Sequence, residues 1–178
     1  GKLERVRAVG KIDSLVEKLK DANYPGTLGI AHTRWATHGG VSEENAHPHF
    51  ALDGKIAIVH NGIIENYREL KDKLKKDRVK FASETDTEVL AHLIGKHYAG
   101  DLAQAVRKAL FEVRGTYGLL AVHTDHPDEI VAARLGSPLV IGIADGEHYI
   151  ASDVTPMLAY TKQVTFLDDG EIAEVSRD

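Results

Sequence analysis

The sequence predicts an α+β protein in which antiparallel sheets are covered by helices. Three observations lead there. Helical periodicity is confined to residues 12–19 and to a block spanning residues 66–113. Short strand-like runs precede and follow that block, and most are joined by turn-forming residues. Strands and helices do not alternate in the regular way that a doubly wound parallel sheet requires. A chain of 178 residues can bury one sizeable core, so residues 1–178 read as a single domain.

Residues 1–9 are charged and mildly alternating, which suggests an extended lead-in or a strand. Ile12, Leu15, Val16 and Leu19 then recur at helical spacing and stop before the turn Asn23-Tyr24-Pro25-Gly26. Residues 27–32 read as a short small-residue strand delivering an Arg-Trp loop, and residues 42–49 as a polar loop. Residues 55–61 alternate, with Ile56, Ile58 and His60 on one face and Ala57, Val59 and Asn61 on the other, and Gly62 is expected to end that strand. Asn66 and Glu69 stand as a capping pair before a helix carrying Tyr67, Leu70 and Leu74, and residues 79–81 look like a brief strand.

Thr85 and Glu88 form a second capping signature, opening a helix that closes at Gly100. Asp101 caps the next one, with Leu102, Ala105, Val106, Ala109, Leu110 and Val113 on its buried stripe. Strands are expected at 117–123, 130–134, 139–143, 148–151, 164–167 and 172–175. The turns between them are His126-Pro127-Asp128, Gly136-Ser137-Pro138, Asp145-Gly146 and Asp168-Asp169-Gly170, with one helical turn near residues 155–158.

Composition narrows the function. The net charge is −5, and the most basic stretch, residues 71–78, is broken by Asp72 and Asp77, as expected for the wet face of a helix. Nucleic-acid binding is therefore not expected. No run approaches the roughly 18 apolar residues of a membrane helix, and the first residues lack a secretory pattern, so a cytoplasmic location without membrane contact is expected. The absence of cysteine excludes disulfides, thiolate metal sites and a cysteine nucleophile from these residues. The first residue is Gly1, which suggests a processed chain or a fragment.

Polar chemistry is densest between residues 29 and 62, which hold the single tryptophan and five of the ten histidines. Arg34, beside Thr37 and His38, reads either as a clamp for a carboxylate or as a structural ion pair. Trp35 beside it would make a wall or lid. His32, His38, His47, His49 and His60 lack the spacing with carboxylates that marks a metal site, and no metal is expected. Asn61-Gly62 is either a turn or an oxyanion hole, in which the Asn61 amide and a Gly62 N–H face a substrate. Asp86 reads as a residue placed for the helix dipole or as a partner for a substrate ammonium. A clamp, an ammonium partner and an oxyanion hole together describe acyl transfer on an amino acid. Ser83, Thr85 and Ser152 are the nucleophile alternatives, none with a marked activating neighbour.

Five segments carry a family resemblance: Ile30-Ala31-His32-Thr33-Arg34-Trp35-Ala36-Thr37-His38-Gly39, Asn45-Ala46-His47-Pro48-His49, Val59-His60-Asn61-Gly62-Ile63-Ile64-Glu65-Asn66, Ser83-Glu84-Thr85-Asp86-Thr87-Glu88 and Gly136-Ser137-Pro138-Leu139-Val140-Ile141-Gly142. In order and over nearly the whole chain, they resemble the type 2 glutamine amidotransferase (glutaminase) domain of the glutamine:fructose-6-phosphate amidotransferases, the glucosamine-6-phosphate synthases of hexosamine biosynthesis. The glutaminase domains of amidophosphoribosyltransferase and asparagine synthetase share the plan but are less similar around Arg34-Trp35.

The resemblance implies an amino-terminal-nucleophile hydrolase fold, a four-layer sandwich of two antiparallel sheets between helical layers. It also implies that Arg34, Thr37 and His38 hold the glutamine α-carboxylate and Asp86 the α-ammonium. Asn61 and Gly62 would form the oxyanion hole, and Trp35 would gate ammonia. No cofactor is implied. The implied partners are glutamine or glutamate and the sugar-phosphate isomerase domain of a full-length, homo-oligomeric enzyme. In that family the nucleophile is an amino-terminal cysteine whose own amine is the base. Its absence leads to the expectation of a domain truncated at its amino terminus by a few dozen residues and inactive alone. The alternative expectation is a nucleophile-free domain that binds or senses an amino acid.

Overall fold

In a computed structural model, residues 1–35 and 38–176 are described. The first helix, α1, spans Ile12–Leu19, at the spacing the sequence predicts. Its apolar stripe is not covered: Ile12 and Val16 are exposed and none of its residues is buried. Residues 1–9 form no strand. They are held instead by side chains, with the Arg5 guanidinium 4.5 Å over the Phe50 ring and Arg7 Nη1 donating to the Glu44 and Ala46 carbonyls at 3.0 Å each. Residues 27–32 and 79–81 also lack strand structure, because none of them joins a ladder with a described neighbour. Val79 and Phe81 still pack on the core as side chains.

Five strands make the first sheet, in the order β1-β2-β3-β4-β8, with every neighbouring pair antiparallel. β1, His49–Ala51, lies where a loop end was expected, and its rim position suits its three-residue length. β2 spans Ile56–Ile64 and passes through Gly62 rather than stopping there. β3 is Gly115–His123, β4 His126–Leu135 and β8 Ile172–Ser176. The β3–β4 turn falls at Thr124 and Asp125, so His126-Pro127-Asp128 lies inside a strand, with His123 paired to His126.

β2 outlasts its predicted end because two glycines let the strand backbones close together. Gly62 has φ +129° and Gly115 has φ +131°. A Cβ on Gly62 would sit 2.2 Å from the Thr116 carbonyl oxygen, and one on Gly115 would sit 2.0 Å from that of Ile63. Only glycine accepts both the torsion and the approach.

Three helices lie against this sheet: α2, Tyr67–Lys76; α3, Asp86–His97; and α4, Leu102–Glu112. Ile56, Ile58, Leu119 and Val131 from the strands meet Leu70, Leu74, Leu90, Ile94, Leu102 and Val106 in the main core. Thr85 and Asp101 cap α3 and α4 as expected, accepting from the N–H groups of Glu88 and Gln104. Asn66 does not cap α2. Its side chain bridges to the connection between α4 and β3 instead, donating to the Glu112 carbonyl at 2.8 Å and accepting from Arg114 N–H at 2.9 Å.

The second sheet has the order β6-β5-β7, from β5 Val140–Ala144, β6 Glu147–Ala151 and β7 Gln163–Phe166, again antiparallel. One 3₁₀ turn, Thr155–Met157, follows β6. A smaller core of Ala132, Leu139, Ile141 and Leu167 joins the two sheets. The result is the α+β arrangement of stacked antiparallel sheets that the sequence predicts, and no helix among the described residues is long and apolar enough to cross a membrane.

Candidate functional site

The end of β2 and the start of α3 converge beside the loop that follows His32. His60, Asn61 and Gly62 from β2, Thr85, Asp86 and Thr87 from α3, and Arg34, Trp35 and His38 from the loop line one cavity of about 120 Å³. Buried polar groups fix this seam. Asp86 Oδ2 accepts Ile64 N–H at 2.8 Å, and its Oδ1 accepts Thr87 N–H at 3.0 Å. His60 Nδ1 pairs with Thr87 Oγ1 at 3.1 Å, and its Nε2 with the Thr116 carbonyl at 3.2 Å. Asp86 is therefore held in a fixed orientation at a helix N-terminus, where its charge is favoured.

Arg34 builds the loop it sits in. Its guanidinium donates to the carbonyls of His38, Gly39 and Gly40, the last at 3.1 Å. Asn45 anchors the far side, donating to the Gly40 carbonyl at 3.0 Å and accepting Glu84 N–H at 2.9 Å. Trp35 is 88% exposed at the cavity rim and so forms a projecting edge rather than a packed wall. Thr37 lies outside the described residues. His38 packs its ring edge-on against Tyr67 at 4.8 Å, and its Nδ1 is buried, without a hydrogen-bond partner among the described residues, and 3.9 Å from Asp86 Oδ1. That gap is too long for a hydrogen bond.

His32 and His47 also line the cavity beside Asn61 and pack together with His49 and His60. His32 Nε2 lies 2.6 Å from Asn61 Oδ1. The His32 ring stacks on His47 at 4.0 Å with an interplanar angle of 25°, and His47 meets His49 edge-on at 5.0 Å. His47 Nδ1 accepts His60 N–H at 3.3 Å, and His49 Nε2 pairs with Thr85 Oγ1 at 3.1 Å. Burial pushes all four rings toward the neutral form. It lowers His32 against the opposing bond to Asn61, lowers His47 strongly with the help of neighbouring His32, and brings His49 down to about 4. His60 is also lowered by burial, against the pull of the Asp86 carboxylate. Among the described residues, no group of three or more His, Asp or Glu side chains is arranged to hold a metal.

A second polar knot supports the start of α3. Glu88 accepts from Ala82 N–H and Ser83 N–H at 2.7 Å each and from Ser83 Oγ at 2.6 Å. Burial alone would raise the Glu88 pKa, but nearby His92, with Nε2 3.8 Å away, and the hydrogen bonds from Ser83 and Ala82 outweigh it and hold the group near 2. Ser83 and Thr85 are thus structural: the Ser83 hydroxyl serves Glu88, and Thr85 Oγ1 accepts Glu88 N–H at 3.2 Å. Ser152 is exposed just beyond β6 and does not line the cavity.

The structure therefore brings Arg34, Trp35, His38, Asn61, Gly62 and Asp86 to one cavity, although they are spread over more than fifty residues of sequence. Sequence reasoning passed over His32, His47, His60 and Thr87 as site components. A local signal existed for the α3 knot, in Ser83, Thr85 and Glu88. None existed for the His32–Asn61 pair, whose members lie 29 positions apart.

Comparison with known proteins points the same way. Residues 32–174 match the model of the glutamine amidotransferase domain. The chain is 50% identical, over its whole length, to 30% of the glutamine–fructose-6-phosphate aminotransferase (isomerizing) of Aquifex aeolicus. It is 52% identical, over 99% of its length, to 29% of the enzyme of that name from Thermus thermophilus. The chain thus spans about 30% of the length of these relatives. Among solved structures, the allosteric regulatory enzyme of purine biosynthesis superposes with a TM-score of 0.70 at 28% identity, over 82% of this chain and 32% of that one. The glutamine phosphoribosylpyrophosphate amidotransferase of B. subtilis superposes with a TM-score of 0.63 at 25% identity, over 83% and 34%.

Proposed function

The chain belongs to the glutamine amidotransferase domain family, and from that membership we propose that it forms the glutamine-binding half-site of a glutaminase that supplies ammonia for making glucosamine 6-phosphate from fructose 6-phosphate. The observation that supports this reading is the convergence of Asn61, Gly62 and Asp86 on one small polar cavity. Each part then has one task. The loop closed by Arg34, with His38, receives the α-carboxylate of glutamine. Asp86, whose carboxylate lines the cavity, receives the α-ammonium.

With the amino-acid end fixed there, the side-chain carboxamide lies toward Asn61 and Gly62. A nucleophile adds to the carboxamide carbon, and the carbonyl π electrons move onto oxygen. The Asn61 amide and Gly62 N–H stabilise the resulting oxyanion. The thiol proton, taken up by the nucleophile's own amine, passes to the amide nitrogen, which leaves as ammonia as the C–N bond breaks. Water then cleaves the acyl–sulfur bond to release glutamate and restore the thiol. These 178 residues contain no cysteine, so the thiol that the family resemblance implies comes from outside them, and the chain by itself is inactive. Trp35, at the rim, takes the ammonia-gating role that the family resemblance implies. The sugar-phosphate isomerase domain that uses the ammonia would also lie beyond these residues.

The test is Asn61→Ala in the complete enzyme. Losing one oxyanion donor lowers kcat by about 10² to 10³. An unchanged kcat removes Asn61 from that role. A complete natural protein without any cysteine nucleophile would favour the amino-acid-binding reading instead.

A further inference from the structure

We propose that His32 is a positioning residue for the oxyanion hole: by donating Nε2–H to Asn61 Oδ1, it dictates which end of the Asn61 carboxamide faces the cavity. This rests on the glutaminase reading of the site. A carboxamide has a donor end and an acceptor end of nearly the same shape, and only the NH₂ end stabilises an anion. A flipped Asn61 would present its oxygen to the developing oxyanion and repel it. Something must break this near-symmetry, and the 2.6 Å contact with His32 Nε2 does so.

Which way it is broken depends on the imidazole tautomer. If Nε2 carries the proton, Asn61 must turn its oxygen to His32 and its NH₂ to the substrate. If Nδ1 carries it, Nε2 becomes an acceptor and the amide flips. His32 Nδ1 is buried and has no hydrogen-bond partner among the described residues. A buried N–H without an acceptor is rarer in proteins than an acceptor short of a donor, so the bare nitrogen belongs at Nδ1 and the proton at Nε2. The stacked His47 ring at 4.0 Å covers the His32 face and offers Nδ1 no acceptor. His47 Nδ1 is itself occupied by His60 N–H at 3.3 Å. Burial lowers the His32 pKa against the opposing bond to Asn61, which favours the neutral ring and so a choice between these two tautomers.

The test is glutaminase kinetics of the complete enzyme with single and double variants. Loosening a catalytic group by about 1 Å costs about 10²-fold, so His32→Ala should lower kcat by about that factor with little change in KM for glutamine. His32→Gln places an amide N–H where Nε2–H was and should recover most of the loss. In an Asn61→Ala background, His32→Ala should cause no further loss, because the group it positions is gone. A loss in that background equal to the single variant's, a His32→Gln no better than His32→Ala, or an unchanged kcat overturns the proposal. If Asn61→Ala lowers kcat and His32→Ala does not, the proposal alone fails. If neither does, the oxyanion reading fails with it. Imidazole ¹⁵N spectra of the unsubstituted enzyme supply a readout independent of activity and of variant folding: a protonated Nε2 on His32 supports the assignment, and a protonated Nδ1 overturns it.

Discussion

Gly62 and Thr116 approach so closely that a Cβ on Gly62 would lie 2.2 Å from the Thr116 carbonyl oxygen, at a φ of +129° that L side chains rarely adopt. The site glycine is therefore also the place where β2 is pressed against β3. Gly62→Ala combines backbone strain with a main-chain clash, and the β2–β3 ladder must open to accept it. A loss of at least about 2 kcal/mol in unfolding free energy is expected by urea titration, together with loss of activity. Asn61→Ala, whose side chain points into the cavity, should leave stability within roughly 1 kcal/mol.

Asp86 separates binding from scaffold. Asp86→Asn keeps an oxygen to accept Ile64 N–H, which the carboxylate holds at 2.8 Å, but removes the negative charge. A hydrogen bond to a charged group contributes about 1.5 to 3 kcal/mol. KM for glutamine should therefore rise at least about tenfold, with kcat much less affected, in steady-state assays of the complete enzyme.

Glu88 is the corresponding structural carboxylate. Its oxygens serve Ala82 N–H, Ser83 N–H and Ser83 Oγ from a buried position. Glu88→Ala leaves these donors unpaired beside a void and should cost roughly 3 kcal/mol, lowering Tm by about 6 to 12 °C. Circular dichroism melting checks it.

Acid should unfold the domain through its histidines before its carboxylates. His49 titrates at 6.5 when unfolded and about 4 when folded, and His32, His47 and His60 are lowered in the same direction. Between the folded and unfolded values the unfolded chain holds more protons, so stability rises with pH and is lost as pH falls. Glu88, near 2 folded against 4.5 unfolded, adds a second loss below 4.5. Scanning calorimetry should show Tm falling as pH drops below about 6.5, and His49→Gln should flatten the upper part of that fall.

The sequence reveals this fold wherever a local rule decides. Thr85 and Asp101 announce their helices, and the alternation of residues 56–61 announces β2. It misleads where a partner decides. Gly62 reads as a terminator until β3 is beside it, and residues 27–32 read as a strand although no described ladder receives them. Asn66 reads as a cap because its chosen partners, Glu112 and Arg114, are more than forty positions away. The site follows the same division. Arg34, Asn61, Gly62 and Asp86 stand out by residue type and local setting. His32 gains its role only from a contact across 29 positions, and the exposed stripe of α1 is indistinguishable in sequence from a buried one.

Recognition of the amino-acid end of glutamine by the cavity beside Asp86 is tested by calorimetric titration of the complete protein with L-glutamate and with glutarate. Glutarate keeps both carboxylates but lacks the α-ammonium. Glutamate should bind, and glutarate should bind at least about tenfold more weakly, as expected for losing one charged hydrogen bond. Equal affinity for the two, or no binding of glutamate, would contradict it.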